Sequence, residues 1–213
     1  MKKHLSKQEK LILCSLTQYD GLSSSDLVTM TNTPIKKLAD PLNNLMIQEY
    51  LQKEKHGAHH YFVINYQRIH ELELDFSQLT PLLKQRNNIY KIPRDVRVCY
   101  SHIAGQLGVA LRIQFEEQGL ITLTSDKHYQ LTQHGGKKLF ELGLTPTAEE
   151  ETHSRFCLDS TERRYHLGGK LGKQLLKAFK LGGWITRKIS SSRSLEVTDK
   201  GKSILNKNFG LTL

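Results

Sequence analysis

Apolar residues in the first third of the chain recur at helical spacing and then give way to short β-prone runs. Leu11, Ile12, Cys14 and Leu16 follow Ser6-Lys7-Gln8-Glu9, a capping pattern that predicts a first core helix. Ser23-Ser24-Ser25-Asp26 is a second capping box, with Leu22 and Leu27 placed as its hydrophobic staple. The helix it opens buries Leu27, Val28 and Met30 and stops near Asn32. Thr33-Pro34 then offers a capping hydroxyl and a first-turn proline to a third helix carrying Leu38, Leu42, Leu45 and Met46. Tyr50-Leu51 and Tyr61-Phe62-Val63-Ile64 are β-prone runs around the polar stretch Lys53 to His60. Helix, tight turn, helix and hairpin is the order of a winged helix-turn-helix, whose second helix enters the DNA major groove. This unit is expected over residues 1–75.

The second half repeats itself. His102-Ile103-Ala104-Gly105 and His166-Leu167-Gly168-Gly169 align at an offset of 64 residues, from His102 to His166. The register continues through Leu107-Gly108 with Leu171-Gly172, Phe115 with Phe179, and Ile121-Thr122 with Ile185-Thr186. After two extra residues in the second copy it resumes, matching Leu131-Thr132, Gly135 and Leu139 to Val197-Thr198, Gly201 and Leu205. Each copy reads as a long helix, two strands and a helix, winged-helix-like, over 94–145 and 155–213. A connecting helix is expected over 76–93, starting at Thr80-Pro81 and carrying Leu82, Leu83 and Ile89. The fold class is therefore mainly α with short β-hairpins, an α+β chain of one winged helix-turn-helix and two tandem repeats.

Ala104, Gly105 and Gly108 fall on one helical face, as do Gly168, Gly169 and Gly172. Glycine inside a helix costs about 1 kcal/mol against alanine, so a close approach should offset it. The expectation is that the two glycine faces pack on each other across a pseudo-twofold axis.

Charge changes the picture. The 31 Lys and Arg exceed the 21 Asp and Glu by 10. From Arg163 to Lys207 the chain holds twelve basic residues against only Glu196 and Asp199, which accounts for the whole excess. A polyanion such as DNA is the natural partner, and a solvated face is the plainer alternative. The tip Arg187-Lys188-Ile189-Ser190-Ser191-Ser192-Arg193 is basic and suited to straddling a phosphate backbone. Candidate DNA contacts are Lys36, Lys37, Asn43 and Asn44 on the third helix and Lys55, His56, His59 and His60 in the wing, with Arg187, Lys188 and Arg193 in the last hairpin. No apolar run reaches membrane-spanning length, and Met1-Lys2-Lys3-His4 is not followed by a signal-like apolar stretch. Three cysteines make no disulfide framework and suit a reducing cytoplasm.

Gly57-Ala58-His59-His60-Tyr61-Phe62, following Leu45-Met46-Ile47-Gln48-Glu49-Tyr50-Leu51, resembles the wing of ArsR-type (ArsR/SmtB-like) regulators. The run from Arg97 through Cys99-Tyr100-Ser101-His102-Ile103-Ala104-Gly105 to Leu111, with Cys157-Leu158-Asp159-Ser160-Thr161-Glu162-Arg163-Arg164-Tyr165-His166-Leu167, resembles a long ArsR subclass with a C-terminal extension. The resemblance covers nearly the whole chain and is strongest from about Arg94 to Gly172. It implies a homodimeric bacterial transcription regulator, usually a repressor released from its operator by an inducer. Two departures stand out. Ser160 stands where the family commonly has an aromatic residue, which loosens the expected helix start there. Ala39-Asp40-Pro41 puts a proline inside the third helix, at a cost of about 3 kcal/mol unless compensated, beside a carboxylate of the wrong charge to face phosphates.

For the inducer, Cys99, His102, Cys157, Asp159 and His166 are ligand types suited to a soft divalent ion such as zinc, cadmium or lead. Their spacing lacks a zinc signature such as Cys-x-x-Cys. Arg97, Arg163 and Arg164 near the thiols favour a redox sensor instead, and plain buried cysteine is the third alternative. No glycine-rich phosphate loop with lysine, nucleophile elbow or His-Glu-x-x-His occurs, so an enzyme is not expected. The competing function is a tandem winged-helix protein adaptor that does not touch DNA.

Overall fold

Serine caps set where the first two helices begin. Ser6 accepts the Glu9 backbone N–H, while the Glu9 carboxylate takes the Ser6 N–H at 2.7 Å, and helix α1 (Lys7–Leu16) follows. Ser23 and Asp26 repeat the exchange at the start of α2 (Ser24–Thr31), which ends on Asn32 in the left-handed region at φ 50°. The computed structural model describes residues 5–69, 72, 96–125, 127–144, 154–188 and 192–213. The chain divides into two compact units, Met1–Ile89 and Tyr90–Leu213. The connecting helix expected over 76–93 lies outside the described residues.

In the first unit α3 (Ile35–Ile47) starts without a side-chain cap. The Thr33 hydroxyl donates to the Thr31 carbonyl at 3.0 Å instead of capping α3, and Pro34 takes the N-cap position. Pro41 sits inside α3, yet the helix runs through it to Ile47. The carbonyl that proline leaves without an intrahelical donor belongs to exposed Lys37, where water is at hand. Leu38, Leu42 and Leu45 point into a core with Ile12, Leu16, Leu22, Leu27 and Met30. Strands β1 (Leu51–His56) and β2 (His59–Ile64) form an antiparallel hairpin that turns at Gly57. Leu22 exchanges two backbone hydrogen bonds with Phe62, at 3.0 and 2.7 Å, and so anchors the start of α2 to the hairpin. A short helix, α4 (Tyr66–Ile69), follows.

The second unit holds the duplication. Its first copy is β3 (Val96–Cys99), β4 (His102–Ala104), α5 (Gly105–Glu117), β5 (Ile121–Ser125), β6 (His128–Leu131) and α6 (Gln133–Glu141). The second is β7 (Ser154–Leu158), β8 (Tyr165–Leu167), α7 (Gly169–Leu181), β9 (Ile185–Arg187), β10 (Leu195–Val197) and α8 (Asp199–Phe209). Each copy therefore opens on a hairpin that the periodicity did not announce, and the order is hairpin, helix, hairpin, helix. Ser160 lies in the β7–β8 turn and not at a helix start. Thr132 and Thr198 cap α6 and α8 alike: each hydroxyl accepts a glycine N–H, from Gly135 or Gly201, and donates at 2.7 Å to Gly119 or Gly183. The whole is a mixed α+β fold of helices and short antiparallel sheets.

The copies interlock. Strand β6 of the first copy pairs with β7 of the second, giving the sheet order β5-β6-β7-β8. Reciprocally, β10 of the second copy meets β3 of the first through the Arg97–Ser194 bridge and the 2.8 Å bond from Val98 N–H to the Arg193 carbonyl. Helix α5 packs on β8, and α7 packs on β4. These reciprocal contacts define an approximate twofold relation within one chain. Phe115 of α5 stacks on Phe209 of α8 at 5.5 Å between centroids, inside a single core that also takes Leu111, Leu175, Phe179 and Trp184.

The expected glycine-to-glycine helix packing is corrected. Gly105 and Gly169 are the first residues of α5 and α7 and adopt φ 74° and 63°, which side-chain-bearing residues rarely do. The close approach lies one turn on, and its partners are a strand and a histidine. A Cβ on Gly108 would stand 2.3 Å from the Ile103 carbonyl oxygen and 3.3 Å from Cβ of His166. On Gly172 it would stand 2.2 Å from the Leu167 oxygen and 3.2 Å from Cδ2 of His102. Helix thus sits directly on strand, and each copy's glycine makes room for the other copy's histidine. Gly108→Ala and Gly172→Ala should each destabilise the chain by about 2–3 kcal/mol, measured by denaturant unfolding. Parent-like stability in both would show that the close approach is not required.

Candidate functional site

Helix α3 has two faces. Leu38, Leu42 and Leu45 are buried, while Lys36, Lys37, Asn43 and Asn44 are all exposed, as is Asp40. Amide side chains suit base edges and lysines suit phosphates, so this face carries groups of both kinds. In the hairpin Lys55, His59 and His60 are exposed. His56 is turned away: its Nε2 lies 3.0 Å from a carboxylate oxygen of buried Glu54, and its ring packs edge-on to Tyr61. In the second unit Arg187, Lys188 and Arg193 are exposed on the β9–β10 hairpin, whose residues 189–191 lie outside the described set. Exposed Lys170, Lys173 and Lys177 along α7 add to the positive charge there.

The other constellation lies where the two copies meet. Cys99 is the register partner of His102 across the β3–β4 hairpin, and Cys157 is the partner of His166 across β7–β8. Opposed residues of an antiparallel pair share one face of the hairpin. The approximate twofold then turns the two hairpins together. Cys99 Sγ and Cys157 Sγ stand 4.0 Å apart, and the His102 and His166 rings are 5.9 Å apart between centroids. One donor atom each from Cys99, Cys157 and His166 lie within 4.8 Å of one another. His166 is fully buried, and neither of its ring nitrogens has a hydrogen-bond partner.

The two thiols lie within hydrogen-bonding reach of each other. The hydrogen bond from Cys157 leads in lowering the Cys99 thiol to about 4, against its burial, and the neighbouring His166 and His102 imidazoles assist. Cys157 is pushed up by that same bond and by burial. Burial, followed by the neighbouring His166 imidazole, moves His102 down from its ordinary value.

Asp159, grouped with these residues from the sequence, is engaged elsewhere. It forms an ion pair with Arg97 and accepts backbone N–H bonds from Gly105 at 2.8 Å, Thr161 at 2.9 Å and Glu162 at 3.0 Å. Its second oxygen is 3.7 Å from Nδ1 of His166. Burial pushes the Asp159 carboxyl up, but Arg97 and the three N–H groups outweigh it and hold the carboxyl below the usual range. By bonding Gly105, the second copy's Asp159 caps the first copy's helix α5. A feature the sequence reading missed is a concavity of about 880 Å³ lined by α6, α7 and the residues that follow each, among them Leu139, Leu144, Leu175, Trp184 and Lys177. Its walls come from different copies, so no local pattern marks it.

Compared with known proteins, the chain is similar to YdfF of Bacillus subtilis (strain 168), an uncharacterized HTH-type transcriptional regulator. The two are 26% identical over 209 residues, which span 95% of this chain and 92% of that protein. No family model matches the chain, and no solved structure matches it. Among the described residues no helix is long and apolar enough to cross a membrane.

The Arg97–Asp159 pair is nearly dry, with the carboxylate 1% and the guanidinium 13% exposed. Asp159→Ala should therefore cost about 3–5 kcal/mol at pH 7, since it strands a buried charge. The folded carboxyl titrates below its unfolded value of about 4. Its contribution is thus complete above that value and is lost as pH falls through the folded one. Denaturant unfolding of parent and variant should show a gap at pH 7 that narrows in acid. A gap independent of pH would remove the ion pair as its cause.

Proposed function

We propose that this chain is a winged helix-turn-helix transcription regulator of the ArsR type. It acts as a homodimeric repressor that leaves its DNA operator when a small effector binds the second unit. The observation that carries this reading is the build of the first unit: α2, a tight turn, and α3 with its leucines inward and Lys36, Lys37, Asn43 and Asn44 outward. Similarity to an HTH-type regulator over nearly the whole chain supports it. In this role α3 enters the major groove, where Asn43 and Asn44 read base edges and the lysines hold phosphates. The β1–β2 hairpin lies along the backbone with Lys55, His59 and His60, while His56 serves the hairpin through Glu54. The positive excess of the second unit, with Arg187, Lys188 and Arg193 at its last hairpin, supplies salt-dependent affinity.

The test is binding of the purified chain to duplex DNA from upstream of its own gene at several salt concentrations. Asn43→Ala with Asn44→Ala should remove about 1–3 kcal/mol of preference for that sequence and leave non-specific binding intact. Replacing Arg187, Lys188 and Arg193 together by alanine should weaken binding to every sequence and flatten the salt slope by roughly 2 to 3. No DNA binding, with salt-insensitive association to a protein, would replace this reading by that of an adaptor.

A further inference from the structure

We infer that Cys99, Cys157 and His166, with His102 as the fourth donor, form a mononuclear site for a soft divalent cation of the zinc class, built across the seam between the two repeats. The inference goes beyond DNA binding and stands or falls without it. The spacing of the two sulfurs fits a shared metal ion. A tetrahedral ion with sulfur bonds of about 2.3 Å holds two thiolates about 3.8 Å apart. The observed Sγ–Sγ separation is 4.0 Å. A disulfide needs about 2.05 Å, so the two thiols as they stand are spaced for a shared ion and would have to rotate toward each other to bond.

A second observation points the same way. His166 is fully buried, neither ring nitrogen makes a hydrogen bond, and it stands beside two thiols. A buried polar group without a hydrogen bond costs about 1–3 kcal/mol, so a group that ligates removes a real penalty. His102 offers the same chemistry from the symmetry-related position, with its Nδ1 also buried and unpartnered. Asp159 lies 3.7 Å from Nδ1 of His166, where a carboxylate orients a ligating imidazole that bonds the metal through its other nitrogen. Two sulfurs and the His166 nitrogen, completed by His102, would form a closed donor set that selects zinc and cadmium over magnesium or calcium. The close approach at Gly108 and Gly172 belongs to this arrangement, because each glycine leaves room for one of the two histidines.

The experiment uses the reduced, metal-free full-length protein, titrated with Co²⁺ alone and then with Zn²⁺. One Co²⁺ per chain should bind with thiolate charge-transfer absorption and the intense visible bands of a tetrahedral site, and Zn²⁺ should displace it. Cys157→Ser and His166→Ala should each abolish the charge-transfer bands or lower affinity at least about 100-fold. His102→Ala should keep thiolate absorption with affinity reduced about tenfold, as for loss of one of four contacts. Cys14→Ser should bind like the parent. Circular dichroism establishes that each variant is folded. For any that is not, Zn²⁺ protection of the parent's thiols from alkylation replaces it: Cys99 and Cys157 should be protected, and Cys14 unaffected. Absence of charge-transfer bands in the parent, or bands that persist at parent affinity in folded Cys157→Ser, overturns the site. So does formation of a Cys99–Cys157 disulfide under mild peroxide in a chain that takes up no Co²⁺.

Discussion

The second unit depends on an exchange of strand edges between its two copies. A hairpin has two outer edges, and an unpaired edge exposes backbone donors and acceptors. Here the first hairpin of each copy is completed by the second hairpin of the other, β7 by β6 and β3 by β10. The helices follow the same rule, since α5 lies on β8 and α7 on β4. Neither copy can bury its own apolar face, so the repeats are halves of one core and not two domains. The stacking of Phe115 on Phe209 expresses this in side chains, for it joins the helix of one copy to the last helix of the other.

That exchange explains why chemistry gathers where it does. An approximate twofold brings equivalent positions of the two copies together only near the axis, and Cys99 with Cys157 and His102 with His166 are such positions. The symmetry is broken in one place. The turn between β7 and β8 runs through residues 159 to 164, whereas that between β3 and β4 holds only Tyr100 and Ser101. The longer turn lets Asp159 reach Arg97 and cap α5 across the seam, a contact the shorter turn has no means to return. The pair costs desolvation, and its four other hydrogen bonds, from Gly105, Thr161, Glu162 and the Thr161 hydroxyl, are what make so buried a carboxylate tolerable.

Much of this was legible in the sequence, and the rest was hidden for physical reasons. Capping boxes at Ser6 and Ser23 are local chemistry, and they placed α1 and α2 correctly. The leucine spacing of α3 was equally plain. The duplication also showed itself, but its leading hairpins did not. Strands β4 and β8 are three residues long and run straight into glycine-started helices, too short for alternation to register. The glycines were read as a helix-to-helix seam because spacing tells which face they share but not what lies against it. The cysteine–histidine grouping was visible as a set of residue types without a recognisable spacing. His102 follows Cys99 by three positions and His166 follows Cys157 by nine, although the two pairs occupy the same register in their hairpins. Sequence spacing misleads wherever turns differ in length and strand register does not.

Charge and shape divide the work of the proposed regulator between its units. Helix α3 carries Lys36 and Lys37 against Asp40, so it has little net charge with which to hold a polyanion. The amides of Asn43 and Asn44 can discriminate among bases without that charge, provided something else brings the helix to the duplex. The second unit holds most of the positive excess, and Lys170, Lys173 and Lys177 recur on α7 at a spacing that keeps them on one face. Affinity and selection then reside in different units. A cation held by Cys99, Cys157 and His166 would add two positive charges and displace the protons the thiols still carry, so the net gain is small beside the excess the unit already holds. Any effect of such a ligand on DNA would have to act through the geometry of the strand exchange, because the site lies on the strands that join the two repeats.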